Sequence, residues 1–171
     1  MIVLGIDPGT ATTGYGVVEG FPDGRLRDLC YGVIRTTPKT PFQLRLKKIH
    51  EKIASIIEQH KPEVMAVEEL FFGKNASSAL SVGQARGVVV LTAIQAGMDL
   101  HEYTPLQVKE AVTGYGRADK MQIQQMVKVL LGLSEIPKPD DAADGLALAI
   151  CHIYSHKMRR MMDVGRDIQR F

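Results

Sequence analysis

The first apolar run of the chain lies at its N-terminus and ends in a charged residue. Residues 2–6 are apolar and mostly β-branched, apart from one glycine, which predicts a buried strand. Asp7 ends this run, and Pro8-Gly9 predicts a turn directly after it. A carboxylate at the end of a buried strand is costly unless a cation or another partner pairs with it. The alternative is that Asp7 only opens the turn.

The next apolar segments predict two further strands of the same sheet and then a long helix. Residues 14–19 and 26–34 read as strands separated by a turn at 21–24, and with the first strand they predict an antiparallel meander of three. Residues 41–60 then show helical spacing of apolar side chains, with lysines largely on the other side. We interpret those lysines as a solvated helix face.

A second buried strand, at 64–67, also ends in acids, Glu68 and Glu69. Because a helix separates this strand from the first, the two are expected to pair in parallel through a right-handed crossover. Their carboxyl ends then share one edge of the sheet, where ligands bind in open α/β sheets. Successive side chains alternate between faces, so only one of Glu68 and Glu69 is expected to join Asp7 easily.

The second half of the chain predicts three helices, a brief strand and a further helix that opens in acids. The segments are a helix at 76–98 rich in small residues, a strand at 101–103, and helices at 105–112, 120–131 and from Asp140 onward. Glycines inside the first of these helices cost about 1 kcal/mol each relative to alanine. Close approach of the sheet, or of a second copy of the chain, would offset that cost. Residues 155–171 predict a basic, mobile tail after a single domain at 1–154.

Composition narrows the class of protein. The chain has 171 residues, of which 45% are hydrophobic and 23% charged, as in an ordinary single globular domain. It shows neither an apolar run of membrane-spanning length nor a signal-peptide pattern, which predicts a cytoplasmic protein without a membrane partner. Cys30 and Cys151 are predicted to be reduced core thiols. The net charge of +2 neither requires nor excludes nucleic acid.

Acids from three separate segments are the candidate chemistry. Asp141 and Asp144, or equally Asp140 and Asp144, have the spacing that shares one helix face. Helix-dipole stabilisation, typically about 0.3–1 kcal/mol, explains one or two of these aspartates. Carboxylates that converge with Asp7 and a Glu would repel one another unless a hard divalent cation such as Mg²⁺ or Mn²⁺ joined them. Two such ions can activate water for phosphodiester cleavage. The five histidines are interpreted as scattered and incidental.

Aromatic and basic residues accompany the acids. Phe71 and Phe72, next to Gly73 and Lys74, predict either stacking on an unpaired base or a hydrophobic staple for the next helix, and both interpretations stay open. Arg86 is the one strong charge in the middle of the small-residue helix.

Six motifs in this order resemble the RuvC family of Holliday-junction resolvases. They are Gly5-Ile6-Asp7-Pro8-Gly9-Thr10, Gly14-Tyr15-Gly16, the stretch 67–75, Gly83-Gln84-Ala85-Arg86-Gly87, Gln107-Val108-Lys109 and Asp141-Ala142-Ala143-Asp144. The resemblance covers residues 2–154. Each motif alone is weak, but their order and spacing together are specific.

The resemblance implies an α/β, ribonuclease-H-like fold with a mixed five-stranded sheet flanked by helices. It implies a homodimer that makes two symmetric nicks in a four-way DNA junction during recombination and repair. Catalysis would use metal-activated water, with one or two Mg²⁺ ions per subunit and Mn²⁺ as the other candidate. It also implies cooperation with a branch-migration motor and that motor's junction-binding partner.

The resemblance also assigns the site residue by residue. The catalytic, metal-binding carboxylates fall on Asp7, Glu68, Asp141 and Asp144, which selects Glu68 over Glu69 and Asp141 over Asp140. Some relatives carry histidine at the position of Asp141. The DNA contacts fall on these residues: Phe71, with Phe72 as a second candidate, Lys74, Lys109, Lys120 and, more weakly, Arg86.

Two alternatives remain at this point. An ATP-binding domain of the actin and sugar-kinase type shares the Asp-x-Gly-Thr turn, but it needs two lobes, and 171 residues leave little room for the second. A catalytically silent junction-binding protein is the other alternative, against which the intact set of acids argues.

Overall fold

The computed structural model describes the main chain of residues 1–69 and 76–168, and the side chains of 1–69 and 79–162. The strands are β1 (Ile2–Asp7), β2 (Thr12–Gly20), β3 (Leu26–Arg35), β4 (Val64–Glu68) and β5 (Asp99–Tyr103). The helices are α1 (Phe42–His60), α2 (Ala76–Gln95), α3 (Pro105–Thr113), α4 (Lys120–Leu131) and α5 (Asp140–Ile168).

The five strands form one mixed sheet in the order β3-β2-β1-β4-β5. β1, β2 and β3 are antiparallel neighbours, whereas β4 runs parallel to both β1 and β5. This arrangement confirms the predicted meander and the parallel crossover. Ile6 pairs with Val67, so the strands that carry Asp7 and Glu68 end at the same edge.

Helices cover both faces of the sheet, and alternation along β1 decides which side chains meet which helix. Val3 of β1 packs with Leu146 and Ile150 of α5, whereas Leu4 and Ile6 pack on the opposite face with α1 and α2. Burial of apolar surface on both faces is the main stabilising contribution to the fold. Asp7 therefore shares the α5 face with Val3, because the two are an even number of residues apart.

Glycines bring α5 into contact with the main chain of the sheet. A Cβ atom on Gly14 would lie 1.8 Å from the carbonyl oxygen of Asp141, and one on Gly5 would lie 2.0 Å from that of Gly145. Gly145 itself faces the main chain of Tyr15, where a Cβ would approach to 2.6 Å. No side chain fits at such distances. These three positions, called the glycine contact below, hold the N-terminal turns of α5 against β1 and β2.

Some element boundaries differ from the predicted ones. α2 ends at Gln95 rather than at 98, because Gly97 adopts a positive φ of 72° and closes the helix. β5 begins two residues earlier than predicted. α5 continues without a break to Ile168, so the predicted boundary between 1–154 and 155–171 falls inside this helix. Within the described residues, none of the helices combines the length and apolar character needed to cross a membrane.

Candidate active site

Three of the predicted acids line one cleft at the carboxyl edge of the sheet. Asp7 ends β1, Glu68 ends β4, and Asp144 lies in the first turns of α5. They line a cleft of about 230 Å³ together with Lys109 and Lys120, and its apolar wall includes Val108, Ile123, Ala147 and Leu148. The topology and the glycine contact bring these residues together, although they are far apart in the sequence.

The two choices that spacing left open are distinguished by position. Glu68 is half-buried and lines the cleft, whereas Glu69 is exposed and its main-chain N–H bonds the carbonyl of Tyr103. Asp141 is half-buried one turn before Asp144, and its charge acts on Asp7, although it does not line the cleft. Asp140 is exposed.

Burial and mutual repulsion change the protonation of these acids. Burial, followed by the charges of Glu68, Asp144 and Asp141, raises the pKa of Asp7 from 3.8 to about 7, and Lys120 only partly opposes the shift. Burial and the charge of Asp144 also raise the pKa of Glu68. The pKa of Asp144 is raised by burial, although Lys120 lowers it in part. The positive charge near the cleft is therefore too small to balance the charges of its carboxylates.

Lys120 supplies part of that charge. Its Nζ lies 3.3 Å from Oδ2 of Asp144 and 3.6 Å from Oδ2 of Asp140. Burial disfavours the ammonium, but Asp144 and its acidic neighbours outweigh this, so the pKa of Lys120 is raised. Lys120 is the first residue of α4, whose start is fixed by a capping box: Asp119 Oδ1 accepts from the N–H of Gln122 at 2.8 Å.

The donor chemistry of the cleft fits a hard divalent cation. Carboxylate oxygens are the ligands that Mg²⁺ and Mn²⁺ prefer, and such an ion would relieve the repulsion that raises the pKa of Asp7. In the described part of the chain, however, no three His, Cys, Asp or Glu side chains are grouped closely enough to hold an ion. Ion binding by these acids would therefore require them to converge further.

The remaining predicted residues are placed differently. Lys109, on α3, lines the cleft. Arg86 is only 17% exposed and forms an ion pair of 2.6 Å with Glu102 of β5, outside the residues that line the cleft. The predicted DNA contacts Phe71, Phe72 and Lys74 lie outside the described residues.

Sequence reasoning missed two features near these elements. Arg45 of α1 binds the turn after Asp7, and nothing in the local sequence pattern indicates this long-range contact. His101, His152 and His156 lie together, with ring centroids 4.7 and 6.0 Å apart, so the interpretation of scattered histidines was wrong for these three. Burial and the neighbouring His101, His156 and Arg159 lower the pKa of His152 to about 4.

Comparisons with known proteins identify relatives of this chain. The family model described as "Crossover junction endodeoxyribonuclease RuvC" matches residues 3–152. A protein of that name from Desulforamulus reducens is 59% identical over 152 residues, which are 89% of this chain and 93% of the relative. One from Caldicellulosiruptor saccharolyticus is 56% identical over 155 residues, with 91% and 93% covered.

The solved structure of Thermus thermophilus RuvC in complex with a Holliday junction substrate is similar throughout. It matches with a TM-score of 0.85 and 37% identity, over 92% of this chain and 96% of that one. The yeast mitochondrial Holliday junction resolvase, at a TM-score of 0.68 and 15% identity, shares the fold. The predicted fold class and the resemblance are thus confirmed. The family match and the identities above 50% show that this chain belongs to the RuvC family of crossover junction endodeoxyribonucleases.

Proposed function

We propose that this chain is a divalent-cation-dependent endonuclease that resolves four-way Holliday junctions by paired symmetric nicks in recombination and repair. The observation that carries the proposal is the meeting of Asp7, Glu68 and Asp144 in one cleft, where burial and mutual repulsion raise the pKa of Asp7 to about 7. Family membership supports the nuclease over the ATP-binding alternative. The intact acid set supports it over a catalytically silent protein.

Each acid has a proposed role toward the ion. Asp7, Glu68, Asp141 and Asp144 would hold one or two Mg²⁺ ions per subunit, or Mn²⁺ in their place. A bound cation of this kind supplies Lewis acidity toward water and stabilises charge on the leaving oxygen. Asp7 must lose its proton before its oxygens can serve as ligands. Lys120, next to Asp144, offsets the charge of the scissile phosphate.

The DNA contacts are proposed from the surroundings of the cleft and from the family resemblance. Lys109 lines the cleft and is positioned to bind a backbone phosphate there. Phe71 and Phe72 would stack in the opened junction centre, and Lys74 would bind nearby phosphate. Arg86 is the weaker candidate because its guanidinium is already paired with Glu102.

A homodimer through α2 is part of the proposal. Leu80, Leu91 and Ile94 are exposed at helical spacing, and a Cβ on Gly83 or Gly87 of the same helix would meet nothing within 4 Å. A two-fold dimer would place one cleft on each of two strands of a junction with approximate two-fold symmetry. Cooperation with a branch-migration motor and its junction-binding partner, and action in the cytoplasm, remain predictions from the sequence.

The test compares a synthetic four-way junction with a linear duplex, each with and without Mg²⁺. The wild-type chain is expected to nick only the junction and only with the ion. Asp7→Asn and Glu68→Gln should lower the nicking rate more than about 100-fold while junction binding persists, because even indirect partners of a metal contribute about 10–100-fold. Glu69→Gln, which removes an exposed acid one residue away, is the matched control and should nick normally. Full nicking by Asp7→Asn would contradict the assignment.

A further inference from the structure

The turn at residues 8–11 leads directly from Asp7 to β2, and three of its four main-chain carbonyl groups accept hydrogen bonds from within the protein. The carbonyl of Gly9 accepts from the hydroxyl of Thr13 at 2.7 Å. The carbonyl of Thr10 accepts from Nη2 of Arg45 at 2.8 Å and from the hydroxyl of Thr36. The carbonyl of Ala11 accepts from the N–H of Thr36 at 2.9 Å. Three consecutive carbonyls are thus occupied.

Arg45 is central to this arrangement. Its Nε donates to Oγ1 of Thr36 at 2.8 Å while Nη2 holds Thr10, so one planar guanidinium joins α1, the end of β3 and the turn. The guanidinium also lies 5.7 Å from the ring centroid of Phe42, which restricts its movement further. Thr36 acts as acceptor and donor at once, as a hydroxyl can. The conformation of the turn therefore depends on Arg45 and Thr36.

Three main-chain donors of the turn also remain. Among the described residues, whose side chains are those of 1–69 and 79–162, no group accepts from the main-chain N–H of Gly9, Thr10 or Ala11. Pro8 has no N–H, and Ala11 is exposed. Successive main-chain N–H groups in a turn bind anions, and main-chain N–H groups commonly contact DNA phosphates. Being uncharged, they can do so beside a group of carboxylates without raising the local charge further.

We propose that this turn binds a backbone phosphate of the DNA next to the cut bond through its free N–H groups, and that Arg45 is the positioning residue that fixes the turn for that contact. The inference rests on the proposed function, because that function supplies the DNA. Arg45 acts through the turn, since Nε and Nη2 are both engaged within the protein.

The experiment neutralises single phosphates of the DNA. Four-way junctions carry one methylphosphonate at a time, within three linkages on either side of the mapped cut, and dissociation constants are measured in EDTA. For the wild-type chain, one linkage is expected to weaken binding about tenfold, as for a lost hydrogen bond to a charged group. In Arg45→Gln the same linkage should change binding by less than about twofold, because the turn is no longer fixed.

Lys47→Gln is the matched control. It removes one positive charge from the same helix, at a side chain that is 66% exposed and pairs only with Glu51 among the described residues, so it should retain the wild-type response. Arg45→Lys keeps the charge but replaces the two separate donor nitrogens of the planar guanidinium with one nitrogen, so it should fix the turn less well and give an intermediate response. Thr36→Val tests the same turn while leaving Arg45 in place. If thermal unfolding shows that Arg45→Gln does not fold, Thr36→Val is the variant compared with the wild-type chain.

Two results would overturn the inference: no sensitive linkage in the wild-type chain, or equal sensitivity in the wild-type chain, Arg45→Gln and Thr36→Val. Nicking of the unmodified junction separates this failure from failure of the proposed function. A wild-type chain that nicks with Mg²⁺ but shows no sensitive linkage rejects only the role of the turn. If the wild-type chain binds the junction but does not nick it with Mg²⁺, the proposed function itself is rejected.

Discussion

At the scale of single residues, Asp7 shows how placement sets the chemistry of one carboxyl group. It ends a buried strand and faces Glu68, Asp144 and Asp141, so its pKa is raised to about 7. Without a metal ion, a large share of the molecules therefore carries a proton on Asp7 at neutral pH. A cation must displace that proton to bind there, and its affinity should rise with pH up to about 7.

The raised pKa also predicts a pH dependence of stability in the metal-free protein. Between pH 3.8 and about 7 the folded chain keeps a proton on Asp7 that the unfolded chain releases, so the free energy of unfolding should fall as pH rises through this window. Asp7→Asn should remove that part of the slope. Urea unfolding in EDTA at several pH values measures it, with Glu69→Gln as the control. Parallel curves for the wild-type chain and Asp7→Asn would contradict the shift.

The residue scale also shows where sequence reasoning reached its limit. Strand alternation established that only one of Glu68 and Glu69 could easily join Asp7, but the spacing alone could not say which one. The burial of Glu68 and the exposure of Glu69 distinguish them in the structure. Arg45 could not be predicted, because its bond to Thr10 joins residues 35 positions apart and leaves no local pattern.

At the scale of elements, the contact of α5 with β1 and β2 decides whether the acids meet. The strands, α1 and α4 could be predicted, because apolar periodicity and turn residues are local signals. The glycine contact could not, since Gly14 and Gly5 resemble ordinary glycines of a turn or strand until α5 is packed on them. The predicted topology places the acids at one edge of the sheet, but the distances between their carboxylates depend on these glycines.

Gly14→Ala tests this contact. The added methyl would lie 1.8 Å from the carbonyl oxygen of Asp141, so the first turn of α5 must move and take Asp141 and Asp144 with it. We expect a loss of about 1–3 kcal/mol in the free energy of unfolding, together with a loss of nicking that exceeds the loss of folded protein. Gly32→Ala, on β3, is the control, because the atoms nearest to its methyl would belong to the outer end of the Tyr15 side chain, with the hydroxyl at 2.9 Å, and none of them to α5. Normal nicking by Gly14→Ala would show that the cleft tolerates the shift.

At the scale of the whole molecule, one side of the chain carries the cleft and another carries the exposed apolar side chains of α2. Leu91 and Ile94 are 55% and 58% exposed in the single chain, which is unusual for large aliphatic side chains grouped on one helix face. A second copy of the same helix would cover them, and the small residues between them permit close approach. The cutting of two strands in one event would then follow from assembly rather than from a second site in the same chain.

Leu91→Asp is expected to separate the subunits, because it places a charge in the centre of the proposed contact. Sedimentation velocity at micromolar concentration should show a dimer for the wild-type chain and a monomer for Leu91→Asp, and paired nicks should give way to single ones. Val129→Asp changes an equally apolar side chain, 68% exposed on α4, and should remain dimeric. A monomeric wild-type chain would contradict the proposed assembly.

The ammonium of Lys120, which lies between Asp140 and Asp144, bears on whether the chain must bind its metal ion before it can fold. Because a built-in positive charge already restrains two of the aspartates, the chain can fold before any ion arrives, and binding of the ion would only draw the acids of the cleft closer together. This differs from small zinc domains, which stay unfolded without their metal. Metal binding would then follow folding and be reversible. A chelator should therefore abolish nicking without unfolding the protein, and adding Mg²⁺ back should restore nicking.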